Sequence, residues 1–320
     1  MLRYRSFRNT DPPRIVEVWR SAAGDSGLFR PISVDLLEQF VMARLYFEPE
    51  GLWLAWDDDR PVGFAHAGFG PDEQQKDISH EWGTTCLLLT TPDGPRQEVA
   101  AALLELCERY LVSRGAKVLY GGGIRPLNPF YLGIFGGSEL PGVPESDAIA
   151  CEAFASHDYR EIDRTITFHC DLHRFEPPAT RVQMQIRRRM TVNVVADSPA
   201  RDWWEACTMG SFDLTRYELC PRSGGPCVAH ALLRNMDPTN AFGGGRAVGL
   251  IELEVDPRYR RQGLVTHLLA EVFHQLSRQG IVKVEIQTMQ NNAPACALYR
   301  RLGFQEVGQG IVFRKNGTGV

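Results

Sequence analysis

Long apolar runs and a surplus of positive charge are both missing from this 320-residue sequence. No stretch approaches the ~18 consecutive apolar residues that a membrane-spanning helix requires, and the first eight residues contain three arginines instead of the apolar segment of a secretion signal. We therefore expect a cytoplasmic protein without a membrane partner. The formal net charge of -4 also argues against a nucleic-acid partner, because proteins that bind nucleic acid generally carry a basic surface.

Paired cysteine motifs are also missing. The eight cysteines are scattered, and none forms a Cys-x-x-Cys pair. Several lie in apolar runs, as Cys107 does, where a thiol packs as a small apolar side chain. Cys220, Cys227 and His230 are near one another in sequence, but their spacing does not match a tetrahedral zinc site. The pattern favours reduced thiols over a disulfide framework and predicts no metal centre.

Two similar halves follow one another along the chain. With 43% hydrophobic and 23% charged residues, the composition is typical of a globular protein, and the length suits two domains. Each half contains a strand–turn–strand pattern, a further apolar strand, a long amphipathic helix and another strand. The two long helices are expected to begin near Arg96 and Leu264. A proline-containing stretch at 174–180 separates the halves, which predicts domains at 1–175 and 176–320.

A short loop rich in arginine joins a strand to a helix in the second half. The run Ala247–Val255 is apolar and β-branched enough for a buried strand. Between it and the helix lies Arg260-Arg261-Gln262-Gly263. N–H groups at a helix start lack intrahelical partners, a glycine allows close approach, and arginines add positive charge. The segment predicts a diphosphate-binding loop, with an ordinary turn and solvated arginines as the alternative.

A second block downstream makes the pattern more specific. Together the two segments resemble the core of the GCN5-related N-acetyltransferase (GNAT) family, from Ala247 to the C terminus. The family loop reads Arg/Gln-x-x-Gly-x-Gly/Ala, and Arg260–Val265 matches it except at Val265, a β-branched residue that narrows the space beside a phosphate. The downstream block matches the family throughout, at Asn292, Ala295, Leu298, Tyr299, Gly303 and Phe304.

The resemblance implies an α/β fold of two tandem GNAT-like domains, each a mixed, mostly antiparallel sheet flanked by helices. It also implies acetyl-CoA as a co-substrate, with its pyrophosphate at the loop and its pantetheine arm beside the end of the strand. In this family the residue at Tyr299 protonates the leaving thiolate, and a core tyrosine on an amphipathic helix is the alternative. The implied cofactor-binding residues are Leu253, Glu254, Val255, Arg260, Arg261, Gln262, Gly263, Leu264, Val265, Thr266, Asn292 and Tyr299.

The general base is harder to place. Several family members carry Glu or His on this strand at positions that correspond here to Gly249 and Ile251, which cannot accept a proton. The nearest carboxylates, Glu252 and Glu254, have the opposite face parity, so a β-bulge or a water chain would be needed to bring one into use. We predict these two as catalytic candidates, with simple pairing to arginines as the alternative. Weaker candidates are Asp213, Tyr217, Glu218 and His267.

The corresponding loop of the first half lacks the features that bind a diphosphate. It reads Thr91–Glu98, where Pro95 has no N–H, and Asp93 and Glu98 carry negative charge. Asn128–Tyr131 is only loosely similar to the downstream block. We therefore predict a degenerate N-terminal domain that shapes the acceptor cleft.

The combined prediction is an N-acetyltransferase that moves an acetyl group from acetyl-CoA directly to an amine in a ternary complex. The amine could belong to a small molecule or to a protein, and the oligomeric state is open. A CoA-binding or structural module that has lost catalysis is the rival interpretation, supported by Val265 and by the residues at 249 and 251. A pocket for longer acyl chains, lined by aromatic residues of the first half, is a third.

Overall fold

The computed structural model describes residues 1–22, 32–134, 137–236 and 245–317. Within these ranges the chain forms one large mixed sheet with helices against both of its faces. The strands are β1 (Leu2–Ser6), β2 (Leu52–Asp57), β3 (Arg60–Pro71), β4 (Ile78–Thr90), β5 (Val118–Gly121), β6 (Val143–Pro144), β7 (Arg160–Asp171), β8 (Met190–Ala196), β9 (Leu214–Pro221), β10 (Ala229–Asn235), β11 (Arg246–Val255), β12 (Ile281–Met289) and β13 (Gln305–Asn316).

The α-helices connect and cover these strands. They are α1 (Pro12–Ala22), α2 (Val34–Leu37, continued by a π-helical turn at Glu38–Met42), α3 (Arg96–Ser113), α4 (Ala148–Ser156), α5 (Arg181–Arg189), α6 (Trp203–Met209), α7 (Leu264–Arg278) and α8 (Ala293–Arg301). Across the described ranges, we find no helix with the length and apolar character to cross a membrane.

The strand order leaves an opening in each half. It runs β1-β2-β3-β4-β5-β13-β7-β12-β11-β10-β9-β8, with β6 beside β13. Neighbours are antiparallel except for β4 with β5 and β11 with β12. The parallel pairing of β11 covers Arg246–Leu250, although the strand runs on to Val255. Beyond Leu250 the strands therefore diverge, and a gap opens at their carboxyl ends.

The last strand of each half completes the sheet of the other half. β13 lies between β5 and β7, whereas β7 lies between β13 and β12. Side chains follow this exchange, because Ile166 and Phe168 of β7 pack in the core around α7. Ile311 and Phe313 of β13 pack in the core around α3. The predicted α/β fold of two related halves is confirmed, while the division at residue 175 stays a prediction.

The long helix of the second half buries the face that its periodicity predicts. Leu264, Leu268, Val272, Phe273 and Leu276 are all buried against the sheet. Full burial of a side chain of this size contributes about 1.5–3 kcal/mol. The helix is therefore held mainly by its apolar stripe, which leaves its N terminus available for other contacts.

A shared core joins the two halves on the face opposite α3 and α7. Trp19 and Tyr131 of the first half belong to the same cluster as Leu214, Leu232 and Ile251 of the second. Because this cluster includes residues of β11, the first half forms one wall of whatever site lies on that face.

One prediction about the cysteines is wrong. Cys220 and Cys227 form a disulfide at the turn between β9 and β10, with their Cα atoms 4.0 Å apart. Antiparallel pairing places the two ends of the hairpin side by side, which sequence spacing alone does not reveal. The remaining cysteines are free thiols, and most of them are buried.

Candidate active site

The arginine-rich loop ends in a left-handed turn that starts α7. Arg261 has φ of 60° and Gly263, the N-cap, has φ of 79°. The first backbone bond of the helix runs from the His267 N–H to the Gly263 carbonyl (3.1 Å). The N–H groups of residues 264–266, including that of Thr266, therefore precede the intrahelical ladder. With the helix dipole they create a position that attracts an anion.

Two neighbours of this turn explain its residue types. A side chain at Gly263 would be strained and would meet Gln183 Nε2 at 3.3 Å, and Gln183 Nε2 also donates to the Gly263 carbonyl (3.2 Å). The side chain of Val265 packs against the core around α7. Val265, which departs from the family pattern, is thus accommodated because its side chain packs against this core.

A cleft of about 960 Å³ opens beside the loop and along the end of β11. Among the predicted cofactor contacts, its lining includes Leu253, Glu254, Val255, Arg260 and Asn292. The other lining residues are Glu218, Cys227, Val228, Ala229, His230, Asp256, Pro257 and Pro294. The lining does not include Tyr299 or residues 261–266, which continue the loop from Arg260 into α7.

Asn292 occupies the N terminus of α8 at the rim of this cleft. Its Oδ1 accepts a hydrogen bond from the Ala295 N–H (3.3 Å), which caps the helix. The amide hydrogens on Nδ2 are the part of the side chain that can donate to a ligand. One residue therefore both starts the helix and presents a donor to the cleft.

Tyr299 is buried among aromatic rings. It is 6% exposed, and its ring centroid lies 5.7 Å from that of Phe168 and 5.6 Å from that of Phe304. Burial, together with Cys296 and Glu139, raises the pKa of Tyr299 to about 12. The phenol is therefore protonated across the physiological range and is able to donate its proton.

A β-bulge in β11 decides where the glutamates point. Glu252 pairs with Leu232 of β10, and Leu250 pairs with Leu233, so Ile251 is the extra residue. Leu250 packs in the core around α7, whereas Ile251 and Leu232 pack in the shared core on the opposite face. Glu252, which lies opposite Leu232, is therefore on the face that the first half covers.

Glu252 links His230 to Arg201. Its carboxylate accepts a hydrogen bond from His230 Nε2 (2.5 Å) and forms an ion pair with Arg201 Nη2 (2.8 Å), and its side chain is only 8% exposed. Burial alone would raise the pKa of Glu252, but the hydrogen bond from His230 and the charge of Arg201 hold that pKa below its ordinary value. Glu252 is thus an ionised anchor, and the Nδ1 atom of His230 is left for proton transfer.

Glu254 adds a second carboxylate to this group. It is exposed in the cleft and lies opposite His230 in the β10–β11 register. The nearest ligand-type atoms of His230, Glu252 and Glu254 all lie within 4.8 Å of one another. Since Arg201 already neutralises Glu252, a cation would have to displace that guanidinium, and the arrangement suits an oriented imidazole better.

The first half contributes a segment that crosses this face. The Ser138 N–H donates to Glu285 Oε1 (2.5 Å), and Gln287 Nε2 donates to the Leu140 carbonyl (2.6 Å). The acceptor Glu285 and the donor Gln287 both belong to β12 of the second half. Residues 138–140 are therefore held against β12 where its pairing with β11 ends.

Glu139 lies at the centre of that segment. Its carboxylate is 3.4 Å from Arg125 Nη1, and Arg125 also donates to the Ile251 carbonyl at the bulge (3.2 Å). Burial raises the pKa of Glu139 to about 7, although Arg125 and Arg234 oppose that shift. Sequence reasoning missed the roles of Glu139, Arg125 and His230, and it named His230 only as part of a spacing that does not match a zinc site.

The weaker sequence candidates fall in different places. Glu218 lines the cleft beside Cys227. Tyr217 packs in the core around α7, and burial lowers the pKa of His267, which is 5% exposed. Asp213 is exposed just before β9. Among these four residues, only Glu218 lines the cleft.

In the first half, the counterpart of the Asn–Tyr block is α4 and not Asn128–Tyr131. Helix α4 lies between β5 and β7 in the chain, as α8 lies between β12 and β13. Asp147 caps α4 as Asn292 caps α8, and Phe154 follows Asp147 at the interval that separates Tyr299 from Asn292. The first half therefore has a phenyl ring where the second has a phenol.

The opening beside the N terminus of α4 is smaller than its counterpart in the second half. Its volume is about 360 Å³, compared with about 960 Å³ beside α8, and Phe154 lines only a separate cavity of about 20 Å³. In the loop before α3, the exposed Asp93 pairs with Arg60 at 2.7 Å, so a carboxylate stands where the second half has its arginines. These features support the prediction of a degenerate N-terminal domain.

A family model for the acetyltransferase (GNAT) family matches residues 16–129 and 184–304. The chain therefore belongs to the GNAT acetyltransferase family, and both halves carry the family pattern. The family predicted from the segment 255–304 is confirmed.

Curated relatives match shorter stretches. The Escherichia coli K12 enzyme named [ribosomal protein bS18]-alanine N-acetyltransferase is 40% identical over 57 residues, which are 18% of this chain and 38% of that protein. N-alpha-acetyltransferase RimI of Mycobacterium tuberculosis is 37% identical over 87 residues, or 27% of this chain and 51% of that protein. Mycothiol acetyltransferase of Clavibacter michiganensis is 36% identical over 72 residues, or 22% and 23%. The chain thus spans about half or less of each relative that it matches.

Solved structures share the whole architecture at low identity. A tandem GNAT protein from the clavulanic acid biosynthesis pathway has a TM-score of 0.67 at 15% identity, covering 99% of both chains. A GCN5-related N-acetyltransferase from Sphaerobacter thermophilus has a TM-score of 0.65 at 14% identity, covering 100% of this chain and 97% of that one. These likenesses confirm the tandem fold.

Proposed function

We propose that the chain is an acetyl-CoA-dependent N-acetyltransferase whose active site lies in the second half. The observation that carries the proposal is His230, which is oriented by Glu252 and lines the same cleft as Arg260 and Asn292. A nucleophile-activating group and the first arginine of the anion-binding loop therefore share one opening of suitable size.

The loop and the strand end would hold acetyl-CoA. The N–H groups at the start of α7, with Arg260 and Arg261, suit a pyrophosphate. The exposed end of β11 at Leu253–Val255 offers main-chain groups to an extended pantetheine arm, in the way that a strand adds to a sheet edge. The donor hydrogens of Asn292 Nδ2 suit an amide carbonyl of that arm.

The reaction is a direct transfer in a ternary complex. The amine nitrogen attacks the thioester carbonyl carbon, the carbon–sulfur bond breaks, and CoA leaves as the thiolate. His230 takes the proton from the amine through Nδ1 while Glu252 holds the other ring nitrogen. Glu254, exposed in the cleft, favours the approach of a cationic amine. The acceptor is an amine of a small molecule or of a protein.

Tyr299 assists the leaving sulfur as a hydrogen-bond donor. Its pKa of about 12 exceeds that of a cysteine thiol, about 8.5, which serves as the reference for the CoA thiol, by some 3.5 units. Complete transfer of the phenolic proton to the thiolate would therefore cost about 5 kcal/mol. A hydrogen bond that strengthens as negative charge develops on sulfur stabilises the transition state without that cost.

Binding and turnover are tested separately. Calorimetry should show acetyl-CoA binding that is lost in the Arg260→Ala, Gly263→Asp double variant. Thiol release should be measured over a panel of small amines and peptides with free N termini. His230→Ala should abolish release, whereas His274→Ala, which alters an exposed histidine on α7, should not.

Two results would overturn this proposal. Absence of acetyl-CoA binding would remove the cofactor, and an active His230→Ala variant would remove the base. Tight binding with no release across the panel would instead favour a CoA-binding module that has lost catalysis.

A further inference from the structure

A tight turn of the first half reaches β11 of the second half. The Ile124 N–H donates to the Leu127 carbonyl (3.0 Å), so the chain turns back on itself shortly after β5. On α6 of the second half, Trp204 Nε1 donates to the Pro126 carbonyl (3.0 Å). The turn is therefore held both by its own backbone and by the other half, which gives Arg125 within it a fixed point of attachment.

Arg125 meets β11 at the extra residue of the bulge. Its Nη1 donates to the Ile251 carbonyl (3.2 Å). The extra residue of a bulge is left unpaired in the ladder, and a backbone carbonyl that is shielded from water needs a partner. Pairing of β11 with β12 has also ended by this point, at Leu250. The guanidinium therefore fixes the peptide group between Ile251 and Glu252, where the bulge sets the direction of the Glu252 side chain.

The other side of the same guanidinium joins a chain of charges that leads back to Glu252. Arg125 Nη2 is 3.6 Å from Glu205 Oε1, and Glu205 is only 4% exposed. Arg201 Nη2 is 3.2 Å from that Glu205 oxygen and 2.8 Å from Glu252 Oε2. Positive and negative groups thus alternate from the first half to the proposed site, and each buried carboxylate has a cation beside it.

We infer that Arg125 is a positioning residue for the acyl transfer. It holds the β11 bulge directly, and it holds the carboxylate of Glu252 through Glu205 and Arg201. The inference rests on the proposed function, in which Glu252 orients the base His230. One restraint on Glu252 acts through its backbone and the other through its charge, and both begin at one side chain of the first half. The degenerate half therefore contributes to the reaction without contacting a substrate.

The test compares Arg125→Ala and Arg125→Lys with the control Arg60→Ala in the full chain. Arg60 is also an ion-paired arginine of the first half, 2.7 Å from Asp93, but its side chain is 56% exposed. Arg125→Ala should lower kcat by about tenfold or more. Affinity for acetyl-CoA should stay within about threefold, because the pyrophosphate loop is not altered. Arg125→Lys should recover only part of kcat, since one ammonium group does not span the carbonyl and Glu205, and Arg60→Ala should change neither quantity.

Two further measurements separate positioning from a general loss of structure. The side chain of Arg125 is 30% exposed, so guanidinium ion, added well below the concentration that unfolds the chain, should raise the kcat of Arg125→Ala but not that of His230→Ala. In the Glu252→Gln background, Arg125→Ala should lower kcat by less than about threefold, because the group that it positions is already changed. Equal losses in the two backgrounds, no response to guanidinium, or a native kcat in Arg125→Ala would each overturn the inference.

Hydrogen exchange tests the contact without the reaction. The amides of residues 251–255 should exchange faster in Arg125→Ala than in the native chain or in Arg60→Ala, because the bulge carbonyl has lost its donor. Unchanged exchange would overturn the inference whatever the activity. Faster exchange in a chain that releases no thiol would refute the proposed function, and with it the part of Arg125 in the reaction, while its hold on the bulge would stand.

Discussion

Glu252→Gln removes one charge from the proposed site and keeps the shape of the side chain. The native carboxylate binds His230 Nε2 at 2.5 Å and Arg201 Nη2 at 2.8 Å. Hydrogen bonds to charged groups contribute about 1.5–3 kcal/mol each. Because Arg201 is 43% exposed, water compensates for part of its lost interaction with the carboxylate. We therefore expect the free energy of unfolding to fall by about 2–3 kcal/mol. A misdirected imidazole should also lower kcat/KM by about 10²–10⁴-fold.

The assay compares kcat/KM, acetyl-CoA affinity and unfolding for the same protein samples. Affinity should stay within about threefold, since Glu252 acts on the acceptor and not on the pyrophosphate loop. Glu306→Gln is the control, because Glu306 is also ion-paired, to Arg300 at 2.6 Å, but lies on the surface. A Glu252→Gln variant that keeps native kcat/KM would refute the role given to the His230–Glu252 pair.

Three further outcomes follow from other contacts. Tyr299→Phe should lower kcat by about 10–100-fold with unchanged acetyl-CoA affinity in calorimetry, because only the donor to the leaving sulfur is lost; unchanged kcat would remove that role. Burial raises the pKa of Glu139 from 4.5 to about 7, so the protonated form is favoured by folding and stability falls as pH rises between those values. The free energy of unfolding of Glu139→Gln, relative to that of the native chain, should therefore be about 3 kcal/mol higher at pH 8 than at pH 4 in denaturant titrations. An equal difference at both pH values would contradict this. Phe313→Ala should lower the free energy of unfolding by about 3–5 kcal/mol and speed amide hydrogen exchange in the first half, where Phe313 stacks on Phe154 with ring centroids 5.4 Å apart. Val307→Ala should do neither.

The elements with strong local signals were predictable. The apolar repeat of α7 and the glycine before it are local features, and both form as expected. The Asn292 cap and the position of Tyr299 on the same short helix also follow from spacing along the chain. A β-bulge near Glu252 is one of the two ways in which the sequence allows a carboxylate to come into use, and the structure contains one.

Other parts of the site depend on contacts between distant residues. The partner of Glu252 is His230, which is adjacent only after the β9–β10 hairpin and β11 pair. The disulfide between Cys220 and Cys227 likewise depends on how the hairpin closes. The counterpart of Tyr299 in the first half lies on α4 and not in Asn128–Tyr131, because the residues around Phe154 retain the helix and its cap but not the side chains that mark the block.

The sequence by itself determined the family, the loop that suits a pyrophosphate and the existence of two related halves, because each rests on residues close together along the chain. Tertiary structure alone decided that β7 and β13 exchange places and that Glu139 and Arg125 of the first half reach the bulge of the second. Strand pairing and burial depend on which surfaces meet after collapse, and a local pattern of residue types does not specify that choice. The proposed site is therefore encoded in one half but assembled by both.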